Sequence, residues 1–206
     1  MTGELKEKKG YLLYTCLFAV MCIAAFYPFL AEGKGFVWGA GVEDGLSQHF
    51  SALSYYGRWL REVVGNFLHG NFEIPMWNMT LGYGADILAT LNYYAVGDPF
   101  NLLYGFVPEE HTEMMYHFMI LFRMYLAGLA FILYSKKMKK RTFGTVMGAL
   151  VYVFCGFSFR LGLRHPFFLN SMIYFPLLCY GAEKIYKKEK PYVFILTVCV
   201  AAMSNY

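Results

Sequence analysis

Apolar residues gather into five stretches, at about 11–31, 113–134, 143–159, 167–185 and 192–206. A helix needs roughly 20 residues to cross a hydrocarbon core. The pattern therefore predicts four membrane-crossing helices and a fifth cut short at Tyr206, as in the N-terminal part of a longer protein. The first stretch follows Lys6, Lys8 and Lys9, as a secretory signal would. It is longer and more aromatic than a signal core, and is read as a retained span.

The lysines and arginines give these spans a direction. The leader, the run Lys136-Lys137-Met138-Lys139-Lys140-Arg141, and Lys184, Lys187, Lys188 and Lys190 hold 12 of the 18 basic residues. Between residues 32 and 113 stand three basic residues against ten acidic ones. Cytoplasmic loops are the lysine-rich ones, so a cytoplasmic N-terminus and an external loop over 32–112 are expected.

A loop of that length carries structure of its own. From Asp44 to Val64, Leu46, Phe50, Leu53, Leu60 and Val64 recur at helical spacing, with Ser47, Ser51, Ser54, Arg58 and Arg61 opposite. The spacing predicts a helix lying in the membrane interface, apolar face down. A second short helix is expected over Ala85 to Ala95. A third starts at Asp98-Pro99, with aspartate as cap and proline at the first helical position. Gly82, Gly84 and Gly97 mark turns, and no internal repeat is present.

Composition agrees: 58% of residues are hydrophobic, 20% aromatic and 16% charged. A soluble domain carries about a quarter charged residues, so the excess apolar surface belongs in lipid. The net charge of +4 lies in runs that flank apolar segments, a topology signal and not a nucleic-acid surface. Cys16, Cys22, Cys155, Cys179 and Cys199 all sit in apolar stretches without ligand spacing, and read as small hydrophobes. The fold class expected is an all-α, polytopic transmembrane bundle.

Candidate chemistry lies in the two external segments. Glu43-Asp44 precedes the predicted interfacial helix, where a carboxylate can take a proton from an acceptor hydroxyl or simply cap the helix. Gln48 shares a helical face with Asp44, and His49 beside it reads as an exposed polar histidine. Asp86 lacks an evident capping role, and could join Asp44 around substrate or a divalent cation such as Mg or Mn. In Phe159-Arg160-Leu161-Gly162-Leu163-Arg164-His165-Pro166, the two arginines stand where the charge bias disfavours them. Their spacing suits one phosphate, or pairing with the acidic loop or lipid headgroups. Arg123 lies in mid-span, where a charge faces a bundle interior. It is expected to pair with an acid elsewhere or to line a polar cavity with His117.

Glu43-Asp44-Gly45-Leu46-Ser47-Gln48, Leu81-Gly82-Tyr83-Gly84-Ala85-Asp86 and Leu91-Asn92-Tyr93-Tyr94 leading into Asp98-Pro99-Phe100-Asn101 together resemble the bacterial YfhO family. His165-Pro166, Asn170-Ser171, Tyr174-Phe175-Pro176 and Ser204-Asn205-Tyr206 extend the likeness over essentially the whole chain. The resemblance implies a GT-C-like fold. It implies a glycosyltransferase that takes a sugar from a polyprenyl-phosphate carrier in the membrane and passes it to an envelope polymer such as lipoteichoic acid. It also implies a catalytic acid soon after the first span. Asp44 matches that position, ahead of Glu43. Arg160 and Arg164 then suit the carrier phosphate, with His165, Asn170, Gln48 and Asp86 around the substrate. Two other classes stay open: a transporter or flippase of envelope lipids, and a non-catalytic assembly module.

Overall fold

The computed structural model describes residues 2–39 and 44–204, without the side chains of 2–8 and 30. Among the described residues seven α-helices follow in order: α1 (Thr2–Ala31), α2 (Ser51–Leu68), α3 (Ile87–Leu91), α4 (Thr112–Lys137), α5 (Thr142–Val153), α6 (Leu169–Tyr186) and α7 (Tyr192–Met203). The strands described are the two-residue pair β1 (Trp77–Asn78) and β2 (Ala85–Asp86), antiparallel with Trp77 opposite Asp86. The all-α class is therefore correct. The chain divides into two compact units: a helical unit, Met1–Phe36 with Met119–Ala201, and a loop unit, Val37–Phe118 with Ala202–Tyr206.

Among the described residues, two segments are long and apolar enough to cross a membrane, Lys9–Phe29 and Glu109–Lys137. Thr142–Val153 and Tyr192–Met203 are apolar but shorter. The stretch at 143–159 is not one helix. Phe154 leaves helical backbone (φ −95°, ψ 40°), and a π-helical turn follows at Ser158–Gly162. Hydropathy stays high across this break because it senses side chains, not backbone angles.

Small residues let the helices of the helical unit approach one another. Tyr14 is fully buried, its ring occupies the place where a side chain on Gly128 would go, and its hydroxyl donates to the Tyr125 carbonyl at 3.1 Å. Phe18 closes the cluster, its ring 5.3 Å from that of Tyr125. Gly181 faces the backbone of Phe194, whose nitrogen lies 2.7 Å from where a Cβ would stand. Arg123 is buried, and its Nε donates to Asn170 Oδ1 at 2.9 Å. Asn170 is thus one partner of this guanidinium within the helical unit.

The lysine-rich ends of α4 and α6 close in the same way. Lys139 and Lys188 hold left-handed backbone, at φ 56° and 59°. The next amides reach back five residues, Lys140 N–H to the Ser135 carbonyl at 3.1 Å and Glu189 N–H to the Lys184 carbonyl at 2.8 Å. This is the Schellman closure, whose left-handed position normally falls to glycine.

In the loop unit a π-helical turn at Gly45–Phe50 runs into α2. Gly45 is required there, because a Cβ would stand 2.6 Å from the Trp38 carbonyl oxygen. The wider turn shifts the register of the helix beyond it, and the buried stripe becomes His49, Ala52, Leu53, Tyr56 and Trp59. Leu46 and Val64, expected to face the membrane interface, lie off this stripe and are 47% and 54% exposed. The stripe packs on the 3-10 segment Pro99–Phe106. Arg61, expected on the solvent side, instead donates to the carbonyls of Tyr104 and Val107. Gly57 sits against the Tyr104 carbonyl, 2.8 Å from its own missing Cβ. Gly57→Ala pushes backbone against backbone. It is expected to destabilise the loop unit by about 1–2 kcal/mol, read as a lower melting temperature of purified protein.

Candidate functional site

Three aspartates marked by sequence resolve into different duties. Asp98 is a cap: its side chain accepts from Phe100 N–H at 2.9 Å, with Pro99 at the first helical position. Asp86 is also a cap, accepting from Ala89 N–H at 2.7 Å at the head of α3. That corrects the reading that it lacked a structural role. Asp44 makes no side-chain cap hydrogen bond. The backbone explains the contrast. A capping residue sits in extended geometry; Asp86 does so (φ −65°, ψ 126°), whereas Asp44 is already helical (φ −62°, ψ −26°). Glu43 lies outside the described residues.

Asp44 Oδ1 accepts instead from Gln48 Nε2 at 2.9 Å. Gln48 Oε1 in turn accepts from the Tyr94 hydroxyl at 2.8 Å. Two partners thus fix the orientation of the Gln48 amide, which in turn holds the Asp44 carboxylate. Tyr94 is the residue that sequence reasoning left without a role; the doublet Tyr93-Tyr94 in the family motif was the available signal. His49 is buried, its ring 5.8 Å from that of Tyr94, and not the exposed histidine expected.

Gln48 and Tyr94 form part of the wall of a cavity of about 520 Å³, with Ser51, Ser54, Tyr55 and Arg58. Phe50, Ala52, Leu81 and Leu91 complete the wall, so that hydroxyls, aromatic faces and one guanidinium stand among apolar side chains, as in many small-molecule sites. Arg58 stands 5.4 Å over the Tyr55 ring and 3.6 Å from Glu109. The Asp44 and Asp86 carboxylates are engaged by Gln48 and Ala89, and no group of three histidine, cysteine or acidic side chains is placed to hold a metal among the described residues. Among the described residues the donor set does not fit a divalent cation.

The other predicted residues lie in the helical unit. Arg160, in the π-helical turn, is exposed; Arg164 and His165 are half-buried, with the His165 ring 5.0 Å from that of Phe168. Asn170 is buried as the acceptor for Arg123. In the same unit an apolar groove of about 500 Å³ runs along Tyr11, Leu126, Leu129, Leu133 and Leu177.

The family motifs can now be matched to what their residues do. Gly45 permits the approach to Trp38, Gly82 and Gly84 hold positive φ, Asp98 caps, and Asn101 donates to the Ala95 carbonyl at 3.1 Å. The model of the family described as bacterial membrane protein YfhO matches residues 13–206. The chain belongs to the YfhO family. The Uncharacterized protein YfhO of Bacillus subtilis (strain 168) is 25% identical over 215 residues, which covers 97% of this chain and 24% of that protein. The chain thus spans about a quarter of the length of its curated relative. No solved structure matches it. A YfhO-family chain is a bacterial membrane protein, in keeping with the two apolar helices.

Near this site one titration is displaced. Tyr56 is buried on α2, and burial first, then the Asp98 carboxylate, raises its hydroxyl above the ordinary value. The unfolded chain therefore loses this proton first. Stability is unaffected below about pH 10 and falls above it. Melting of the purified protein is expected to drop above that pH, and less steeply in Tyr56→Phe.

Proposed function

We propose that this chain forms part of a GT-C-type membrane glycosyltransferase. The protein crosses the membrane several times with its N-terminus in the cytoplasm. It transfers a sugar from a polyprenyl-phosphate carrier to an envelope polymer such as lipoteichoic acid on the outer face. The observation that carries the reading is the Asp44–Gln48–Tyr94 chain: a carboxylate not used as a cap, oriented by an amide that lines a sugar-sized cavity.

In the proposed step, Asp44 accepts the proton of an acceptor hydroxyl. The resulting oxygen nucleophile attacks the anomeric carbon, and the bond from that carbon to phosphate oxygen breaks. Glycosylated polymer and polyprenyl phosphate are released. Tyr55 and Tyr94 offer faces for the sugar ring. Charge grows on the leaving phosphate, so a guanidinium beside it acts most strongly in the transition state. Arg160 and Arg164 are assigned to phosphate contacts, and the apolar groove of the helical unit suits an isoprenoid tail. No step requires a metal.

The decisive experiment supplies radiolabelled polyprenyl-phosphate sugar to purified full-length protein in vesicles with polymer acceptor. Label on the polymer is the expected result. Label that crosses the bilayer without transfer means a flippase, and neither outcome means an assembly module; each overturns the reading.

A further inference from the structure

The cations at the basic ends of α4 and α6 fall into two groups. Lys137 and Lys184 reach Glu189, Lys187 reaches Glu183 at 2.7 Å, and Lys136 lies 3.7 Å over the Tyr11 ring. Lys140 and Arg141, exposed between α4 and α5, have no acidic partner among the described residues. They border a cavity of about 560 Å³ whose wall includes Phe131, Tyr134, Ser135 and Thr145, and no acid. Thr145 is 2% exposed, and its Oγ1 has no hydrogen-bond partner among the described residues. The twelve-residue α5 starts at this cavity without a side-chain cap, Arg141 being extended (φ −66°, ψ 140°). Its first amides and dipole therefore favour an anion.

We propose that this cavity holds the headgroup of an anionic phospholipid. The phosphate sits against Lys140, Arg141 and the leading amides of α5, a headgroup hydroxyl meets Thr145, and acyl chains pass along the aromatic wall. The cavity lies at the basic end of α4, a helix long and apolar enough to cross the bilayer, so it stands at headgroup depth. Basic pockets between membrane helices on a lysine-rich side take such headgroups. The inference is independent of sugar transfer.

The test exposes purified full-length protein to equal amounts of phosphatidylglycerol and phosphatidylcholine, and counts retained lipid by mass spectrometry. About tenfold preference for phosphatidylglycerol is expected. K140Q/R141Q lowers its apparent affinity by about 30-fold and T145V by about fivefold, while K137Q/K184Q leaves it unchanged. Wild-type retention by K140Q/R141Q overturns the proposal. So does release of the lipid by excess soluble glycerol phosphate, which marks a phosphate site. Should the double variant not fold, T145V decides, provided it melts as wild type: undiminished retention then overturns the proposal.

Discussion

Asp44→Asn in the full-length protein is expected to lower sugar transfer by about 10²–10⁴-fold, at unchanged abundance and melting temperature. Asparagine keeps the shape of aspartate and removes the proton acceptor. Because the Asp44 side chain makes no cap hydrogen bond, the helix start loses little. Asp86→Ala is the contrasting control. It removes the cap on Ala89 N–H and costs about 1 kcal/mol, with transfer per folded molecule preserved. Tyr94→Phe keeps the ring but releases Gln48 Oε1, and is expected to give a smaller loss than Asp44→Asn. An Asp44→Asn protein that transfers sugar at the wild-type rate removes Asp44 from the mechanism.

Asn170→Leu is expected to destabilise the helical unit by about 3 kcal/mol, the largest single effect on folding. It withdraws the acceptor from Arg123 Nε, a buried charge whose hydrogen bond is worth more than a neutral one. The double variant Arg123→Met, Asn170→Leu removes the charge as well, and should recover most of that loss, as buried polar pairs replaced by apolar residues commonly do. A double-mutant cycle on melting in detergent measures the coupling. A double variant whose loss equals the sum of the two single losses would show that the pair is uncoupled.

Local signals were read correctly from sequence. The Asp98-Pro99 start, the glycine turns and the all-α class each depend on a few adjacent residues. The capping aspartate and the one proposed as proton acceptor were not separable in that way, since Asp86 and Asp44 carry the same chemistry and differ in backbone angle. Arg61 was placed on the wrong side of α2 because a π-helical turn shifts helical register without leaving a hydropathy trace. Gln48 with Tyr94 and Arg123 with Asn170 are contacts across 46 and 47 positions, which no short pattern contains. The assignment of Asp44 came from family resemblance; its orienting partners came from the fold.

The left-handed lysines set durability against delivery. Glycine at residue 139 or 188 would relieve about 1 kcal/mol of backbone strain, and a purified variant should melt later. Under the proposed sidedness the same exchange deletes a cation that the insertion apparatus reads while the chain is still emerging. A screen for heat resistance would then enrich molecules that reach the bilayer less often in the right direction. Yield of correctly inserted protein, measured beside melting, is where the two demands part.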